Sequence, residues 1–238
     1  MTVRIGVAGW SLRSEQQDLF GAGASHLARY ATRFNAVEIN SSFYRPHRRS
    51  TYERWAASVP RDFRFSAKLP RTITHNARLK AVEKSLETFL EEVRGLGGKL
   101  GPLLVQLPPG LAFDAKIAAL FFAAFRARFD GLLACEPRHA SWFAKPAEAL
   151  LQKHRVARVA ADPAPISDLS VPGADTPGGW RGFAYFRWHG SPVMYRSDYS
   201  PAQLAALAAQ LKADDWCIFD NTADGAATLN ALSLQQRL

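Results

Sequence analysis

The chain has 238 residues and a formal charge of +9, from 30 Lys and Arg against 21 Asp and Glu. With 47% apolar, 11% aromatic and only 21% charged residues it is too hydrophobic for a disordered or fibrous protein, and it is long enough to bury a core without metal or disulfide. No apolar run approaches the roughly 20 residues of a membrane-spanning helix. Residues 1–5 lead straight into a strand pattern with no signal-peptide-like apolar stretch before it. Cys135 and Cys217 lie inside apolar runs, which predicts two buried free thiols in a reducing compartment. The expectation is a soluble cytoplasmic protein without membrane association.

In chain order, residues 3–8 form the first strand pattern, and Leu27, Tyr30, Ala31 and Phe34 mark an amphipathic helix at i, i+3, i+4, i+7. Residues 36–40 read as a second strand, 48–58 as a helix around Trp55, and 63–68 as a third strand. Leu79, Val82, Leu86, Phe89, Leu90 and Val93 make one helical stripe that ends at Gly95 and Gly97-Gly98. The fourth strand covers 102–107, and Asp114 caps a helix through Ile117, Leu120, Phe121 and Ala124. Strand five (132–136), a helix (142–154) and strand six (156–161) follow. Strand seven is 183–188. Ser200-Pro201-Ala202-Gln203 then combines a capping box with proline at the first helical position. Strand eight (216–220) and a closing helix (222–234) complete the chain.

Eight strands alternating with helices argue for an α/β fold with a parallel sheet, and the length fits a small, single (β/α)8 TIM barrel over residues 1–238. One unit is irregular. An irregular Pro/Gly-rich loop (Pro163, Pro165, Pro172, Gly173, Pro177, Gly178, Gly179) replaces the helix after strand six, and serves as an active-site cover or a linker.

The positive charge is arginine-rich, 22 Arg to 8 Lys, and Arg45-Pro46-His47-Arg48-Arg49 is its tightest stretch. Arginine suits carboxylates and phosphates, so an anionic partner is expected; a diffuse distribution fits solvated surface better than a nucleic-acid face. In a barrel of this kind, catalytic groups sit at the C-terminal strand ends. Those ends carry Glu38 with Asn40, Lys68, Gln106, Glu136 with Arg138 and His139, Arg187 with His189, and Asp220-Asn221. Residues two apart on a strand share a face, so Glu38 and Asn40, Glu136 and Arg138, and Arg187 and His189 each point one way. So many ionisable groups at one level require a network of partners.

A resemblance follows from these segments. Gly9-Trp10-Ser11, Val37-Glu38-Ile39-Asn40-Ser41-Ser42-Phe43-Tyr44-Arg45, Phe65-Ser66-Ala67-Lys68, Ile73-Thr74-His75, Gln106-Leu107-Pro108-Pro109, Glu136-Pro137-Arg138-His139-Ala140-Ser141-Trp142, Arg187-Trp188-His189-Gly190 and Asn221 resemble, in this order, the YecE-like family, domain of unknown function 72. The resemblance implies a TIM barrel of uncharacterised activity, distantly related to sugar isomerases. The chain departs from the family pattern at Asp220-Asn221, where Asn-Asn is usual, and at Leu12-Arg13.

The expected function is general acid/base chemistry on an anionic polyhydroxylated small molecule such as a phosphorylated sugar, of isomerase or hydrolase type. Glu136 is the expected general base and His189 its acid partner, a pairing that requires the two within about 10 Å. Glu38 pairs with Glu136 across the strand ends. Lys68 is either a Schiff-base amine, if buried, or the counter-ion of the two glutamates. Arg138 and Arg187 are expected to bind the anion. His139, Asn40, Gln106, Tyr44, Trp142 and Asn221 are expected to line the substrate. No cofactor is predicted; a second reading has Glu38, Glu136, His189 and Asp220 ligating a divalent metal. Nucleic-acid binding through Arg45 to Arg49 and a non-catalytic metabolite sensor are the competing functions.

Overall fold

Alternate residues of a strand face the same side. Here one face is repeatedly small or aromatic and then, two residues later, charged. The computed structural model describes residues 2–164 and 173–238. In chain order it contains β1 (Arg4–Val7), α1 (His26–Tyr30), β2 (Ala36–Ile39), α2 (Arg49–Ala57), β3 (Arg64–Lys68), α3 (Glu83–Val93), β4 (Leu100–Gln106), α4 (Ala115–Arg126) and β5 (Leu133–Glu136). α5 (Lys145–Lys153), β6 (Val156–Arg158), β7 (Ala160–Asp162), β8 (Gly178–Gly179), β9 (Tyr185–Trp188), α6 (Pro201–Ala208), β10 (Trp216–Phe219) and α7 (Ala226–Gln235) follow.

The strands form two sheets, in the order β1-β10-β9-β7 and β2-β3-β4-β5-β6-β8. Every pairing is parallel except β6 with β8. Helices supply most of the crossovers that parallel neighbours need; between β7 and β9 the only element among the described residues is β8. The expected sixth strand is divided at Val159: β6 pairs with β5, β7 pairs with β9, and the Val159 N–H donates to the Cys135 carbonyl at 2.9 Å.

A continuous backbone ladder around all the strands, as a barrel was expected to show, is interrupted between β1 and β2. There, side chains replace main-chain partners. The Tyr30 hydroxyl accepts from the Val7 N–H and donates to the Ala36 carbonyl, both at 2.9 Å. The Asn35 carboxamide accepts from the Ile5 N–H at 3.0 Å and donates to the Val3 carbonyl at 2.8 Å. Gly6 is required for this approach, because a β-carbon would strike the Ala36 carbonyl. Beyond Tyr30 a single parallel bridge joins Ala8 to Glu38.

Two apolar clusters hold the layers together. The larger packs helices against the outward strand faces and includes Leu86, Phe89, Phe122, Leu151 and Leu207. The smaller draws on both sheets, with Ala36, Leu104 and Ala134 from one and Tyr185, Trp216 and Ile218 from the other. Trp216 stacks on Tyr185 with 6.1 Å between centroids and 4° between planes, and Gly101 leaves room for the indole, since a β-carbon there would strike its Cζ2.

Several expected boundaries move. α3 begins at Glu83 rather than near Leu79, because Arg78, Leu79 and Ala81 have φ of 51°, 68° and 50°, left-handed values that no α-helix accommodates. The helix expected over 142–154 begins at Lys145; Ala140–Phe143 instead form a 3₁₀ turn, and Pro146 sits in the first turn of α5. The Pro/Gly-rich stretch lies partly outside the described residues, Pro165 and Pro172 included. Its described part forms β8, antiparallel to β6, rather than a helix. Glu148 of α5 fastens it, pairing with Arg158 and accepting from the Gly179 N–H at 2.6 Å. Among the described residues no helix is long and apolar enough to cross a membrane.

Candidate functional site at the strand ends

The period of two that packs Ala36, Ala134 and Tyr185 into the inner cluster places Glu38, Glu136 and Arg187 on the same face, one step nearer the strand ends. β3 brings Ser66 and then Lys68 by the same rule, and Asp220 follows Ile218 just past β10. Register keeps them level: Glu38 is opposite Ser66, and Gln106 is opposite Glu136.

Arg187 is the hub, 1% exposed. Its Nε and Nη2 donate to Glu38 at 3.0 and 2.8 Å, its Nη1 to Glu136 at 3.0 Å, and Nη2 also meets Asp220 at 3.0 Å. Its donors are therefore engaged by three carboxylates. This corrects the expectation that Arg187 binds a ligand anion: it is buried, and all three of its nitrogens already face carboxylates. Tyr185 donates at 2.8 Å to Glu38 Oε2, the oxygen that also accepts from Arg187 Nε, and its hydroxyl lies 2.9 Å from the Ser66 hydroxyl.

His189 bridges two carboxylates, with Nε2 2.9 Å from Glu136 and Nδ1 3.0 Å from Asp220. A ring carrying both protons donates to both, and losing either proton breaks one bond. Arg138 lies 2.5 Å from Glu136 and 3.1 Å from His189, and its Nε is buried without a partner. Glu136 and His189 thus meet the proximity their pairing required.

Burial alone would push the Glu136 carboxyl up, but Arg138, Arg187 and His189 outweigh it and keep it well below the usual range. Asp220 behaves alike: burial raises it, and Arg187 and His189 more than compensate. Burial would lower Arg187, yet Asp220, Glu38 and Glu136 drive it well above the ordinary value. Lys68 moves the other way. Burial, aided by Arg187, brings it down to about 8 against the pull of Glu38, Glu136 and Asp220.

Other expected site residues have different employment. Trp142 is 1% exposed, packs edge-on against Phe113 and donates to the Leu111 carbonyl at 2.9 Å, so it is loop core rather than a stacking platform. His139 caps the 3₁₀ turn through the Ser141 N–H at 3.2 Å. The Asn221 amide nitrogen ties Ser197 and Asn230 together at 2.9 and 2.8 Å. Tyr44 is 68% exposed, on the loop after β2. Asn40 and Gln106 stay at the strand ends, Asn40 with its Oδ1 buried and unpartnered. Tyr185 and Ser66 were missed, and Asp220 was weighed only as a metal ligand. Parity marks the first two, since each stands two residues before a charged residue already singled out.

The metal reading does not fit this donor set. The guanidinium of Arg187 itself occupies the position among Glu38, Glu136 and Asp220 that a cation would take, and among the described residues no group of three or more His, Cys, Asp or Glu is arranged to hold a metal ion.

The fold and site define a parallel α/β protein with a buried, internally neutralised charge cluster at its strand ends. The family model described as protein of unknown function DUF72 matches residues 4–238, and the chain belongs to that family. It is 31% identical over 151 residues to the UPF0759 protein YecE of Escherichia coli K12, covering 60% of this chain and 54% of YecE. It is 27% identical over 157 residues to the UPF0759 protein YunF of Bacillus subtilis 168, covering 60% and 53%. The aligned region thus spans about half the length of these curated relatives. Among solved structures, a DUF72 family protein of Enterococcus faecalis V583 superposes with a TM-score of 0.79 at 23% identity, over 100% of this chain and 95% of that one. A DUF72 family protein of Thermotoga maritima MSB8 gives 0.77 at 23% identity, over 99% and 98%. These two likenesses establish the fold.

Proposed function

We propose that the protein is an enzyme that moves protons on a polyhydroxylated small molecule bearing an anionic group, bound at the strand ends of a single TIM-barrel domain spanning residues 1–238. Four features support the barrel reading: the inner cluster drawn from both sheets, the one-residue link at Val159 between β6 and β7, the Ala8 to Glu38 bridge, and the Tyr30 and Asn35 clasp at the remaining seam. Two buried free thiols, Cys135 and Cys217, support a cytosolic setting.

One observation carries the functional reading: His189 is held between Glu136 and Asp220, with Arg138 beside the same Glu136 oxygen. A carboxylate kept well below its usual range is a weak base at neutral pH, so the proton-carrying role passes from Glu136 to His189, which Glu136 and Asp220 orient. Arg138 takes over the ligand-facing role from Arg187. Arg45 and Arg71 add charge on a neighbouring cavity of about 260 Å³ that Phe43 and Tyr44 also line. The nucleic-acid reading gains no support of its own, since Arg49 opens α2 and pairs with Glu53 at 3.0 Å.

The test is solvent deuterium wash-in. The protein is incubated in deuterium oxide with glyceraldehyde 3-phosphate, ribose 5-phosphate or fructose 6-phosphate, and the sugars are analysed by mass spectrometry. Incorporation at carbon by the native protein, lost in His189→Asn, is expected. No incorporation above the protein-free rate with any of the three overturns the reading.

A further inference from the structure

Lys68 stands apart from every other charge in the cluster. It ends β3 among three carboxylates, yet among the described residues it forms no ion pair within 4.0 Å. Arg187 and Arg138 already neutralise Glu38 and Glu136, so the glutamates do not need Lys68 as their counter-ion. Its nitrogen lies 4.2 Å from the centroid of the Phe43 ring, whose face attracts the charged form only modestly and offers no proton acceptor such as a carboxylate. Phe43 in turn packs edge-on against His75 at 4.9 Å and lines the cavity of about 260 Å³ between the loops after β2 and β3. His75 belongs to a π-turn, Thr72–Asn76, a local geometry common at functional sites.

We propose that Lys68 is a carbonyl-capturing amine, forming a Schiff base with the open-chain aldehyde or ketone of the substrate. This rests on the acid–base reading of the same cluster and names the reactive group of its substrate. The nitrogen lone pair attacks the carbonyl carbon, forming a C–N bond while the carbonyl π electrons move to oxygen. The nitrogen gives up a proton and the oxygen gains one, leaving a carbinolamine. A second proton on that oxygen lets it depart as water, and the nitrogen lone pair completes a C=N bond to give the iminium. No oxidant or reductant is involved. A buried amine beside another cation is the environment that supplies the neutral nucleophile near neutral pH. The groups facing it are Arg187, Glu38, Glu136, Asp220 and, from the π-turn, His75. Their balance leaves Lys68 half neutral near pH 8.

The experiment traps the adduct. Native protein at pH 7 is mixed with glyceraldehyde 3-phosphate or dihydroxyacetone phosphate and sodium cyanoborohydride, which reduces an imine to a stable secondary amine, and peptides are mapped by mass spectrometry. The exposed Lys84, Lys116 and Lys153 serve as internal controls. Lys68 is expected to be labelled at least about tenfold faster than these, half-maximally near pH 8. Labelling of Lys68 no faster than the exposed lysines, or none, overturns the proposal. Deuterium wash-in without trapping removes the imine and leaves the acid–base site, whereas trapping without wash-in removes the acid–base site and leaves the amine.

Discussion

Arg187 holds Glu38 side-on, its Nε 3.0 Å from one carboxylate oxygen and its Nη2 2.8 Å from the other, with both side chains sealed from water. Two parallel hydrogen bonds between opposite charges fix orientation as well as distance. The pair acts as a brace across the sheets, since Glu38 is on β2 and Arg187 on β9.

Arg187→Met, similar in volume, is therefore expected to strand three buried carboxylates and lower stability by about 3–5 kcal/mol. Urea denaturation followed by circular dichroism reads the loss. A change below about 1 kcal/mol would mean that water reaches the cluster and that the brace is unimportant.

Tyr185→Phe removes one hydroxyl from a dry site while Glu38 keeps Arg187. The expected cost is about 1.5–3 kcal/mol, the contribution of one hydrogen bond to a charged group, since Glu38 Oε2 still accepts from Arg187 Nε. Ser66→Ala should cost less, because it takes nothing directly from Glu38. The reverse order in chemical denaturation would contradict the assigned bonding.

The pH dependence has two limbs. Glu136 and Asp220 titrate lower in the folded chain than in the unfolded one, so their stabilisation is complete above the ordinary carboxylate range and disappears as pH falls through their folded values. Lys68 contributes with the same slope in a higher window, because its folded value is also depressed. Between about pH 8 and 10.5 the unfolded chain binds more protons, so stability rises with pH across that window, on the order of 3 kcal/mol. Subtracting the stability curve of Lys68→Met from that of the native protein isolates this rise; a flat difference would show that Lys68 is solvated.

Gly190 follows His189 with φ of 94°, and a β-carbon there would lie 2.9 Å from the Ser197 carbonyl oxygen and 3.0 Å from the Asn221 β-carbon. Gly190→Ala is expected to cost about 1–3 kcal/mol in a thermal or urea melt. Unchanged stability would mean that the turn relaxes freely.

Strand periodicity was legible because burial on one face forces it, and it placed Glu38, Glu136, Lys68, Arg187 and His189 near one another without any alignment of strands. Which of them touch was not legible, because that depends on register between strands far apart in sequence. Arg187 shows the difference: as a sequence residue it is a cation near a mouth, and only its three carboxylate partners reveal it as a buried hub. Trp142 failed for a local reason, since the 3₁₀ turn before Pro146 rotates it inward. The surplus arginine also has a structural use that composition hides. Arg126 alone donates to the carbonyls of His154, Phe129, Gly131 and Arg155, clasping the loop before β5 to the end of α5.

Val159 is the single residue between β6, which pairs with the strand carrying Glu136, and β7, which pairs with the strand carrying Arg187. The next link is equally short, for the Asp162 carbonyl receives the His189 N–H at 2.6 Å. The two halves of the cluster are therefore kept in step by counting residues. One residue inserted or removed at 159 would turn β7 by half a pleat and set the acidic half out of phase with its partners, so this short stretch tolerates changes of side chain far better than changes of length.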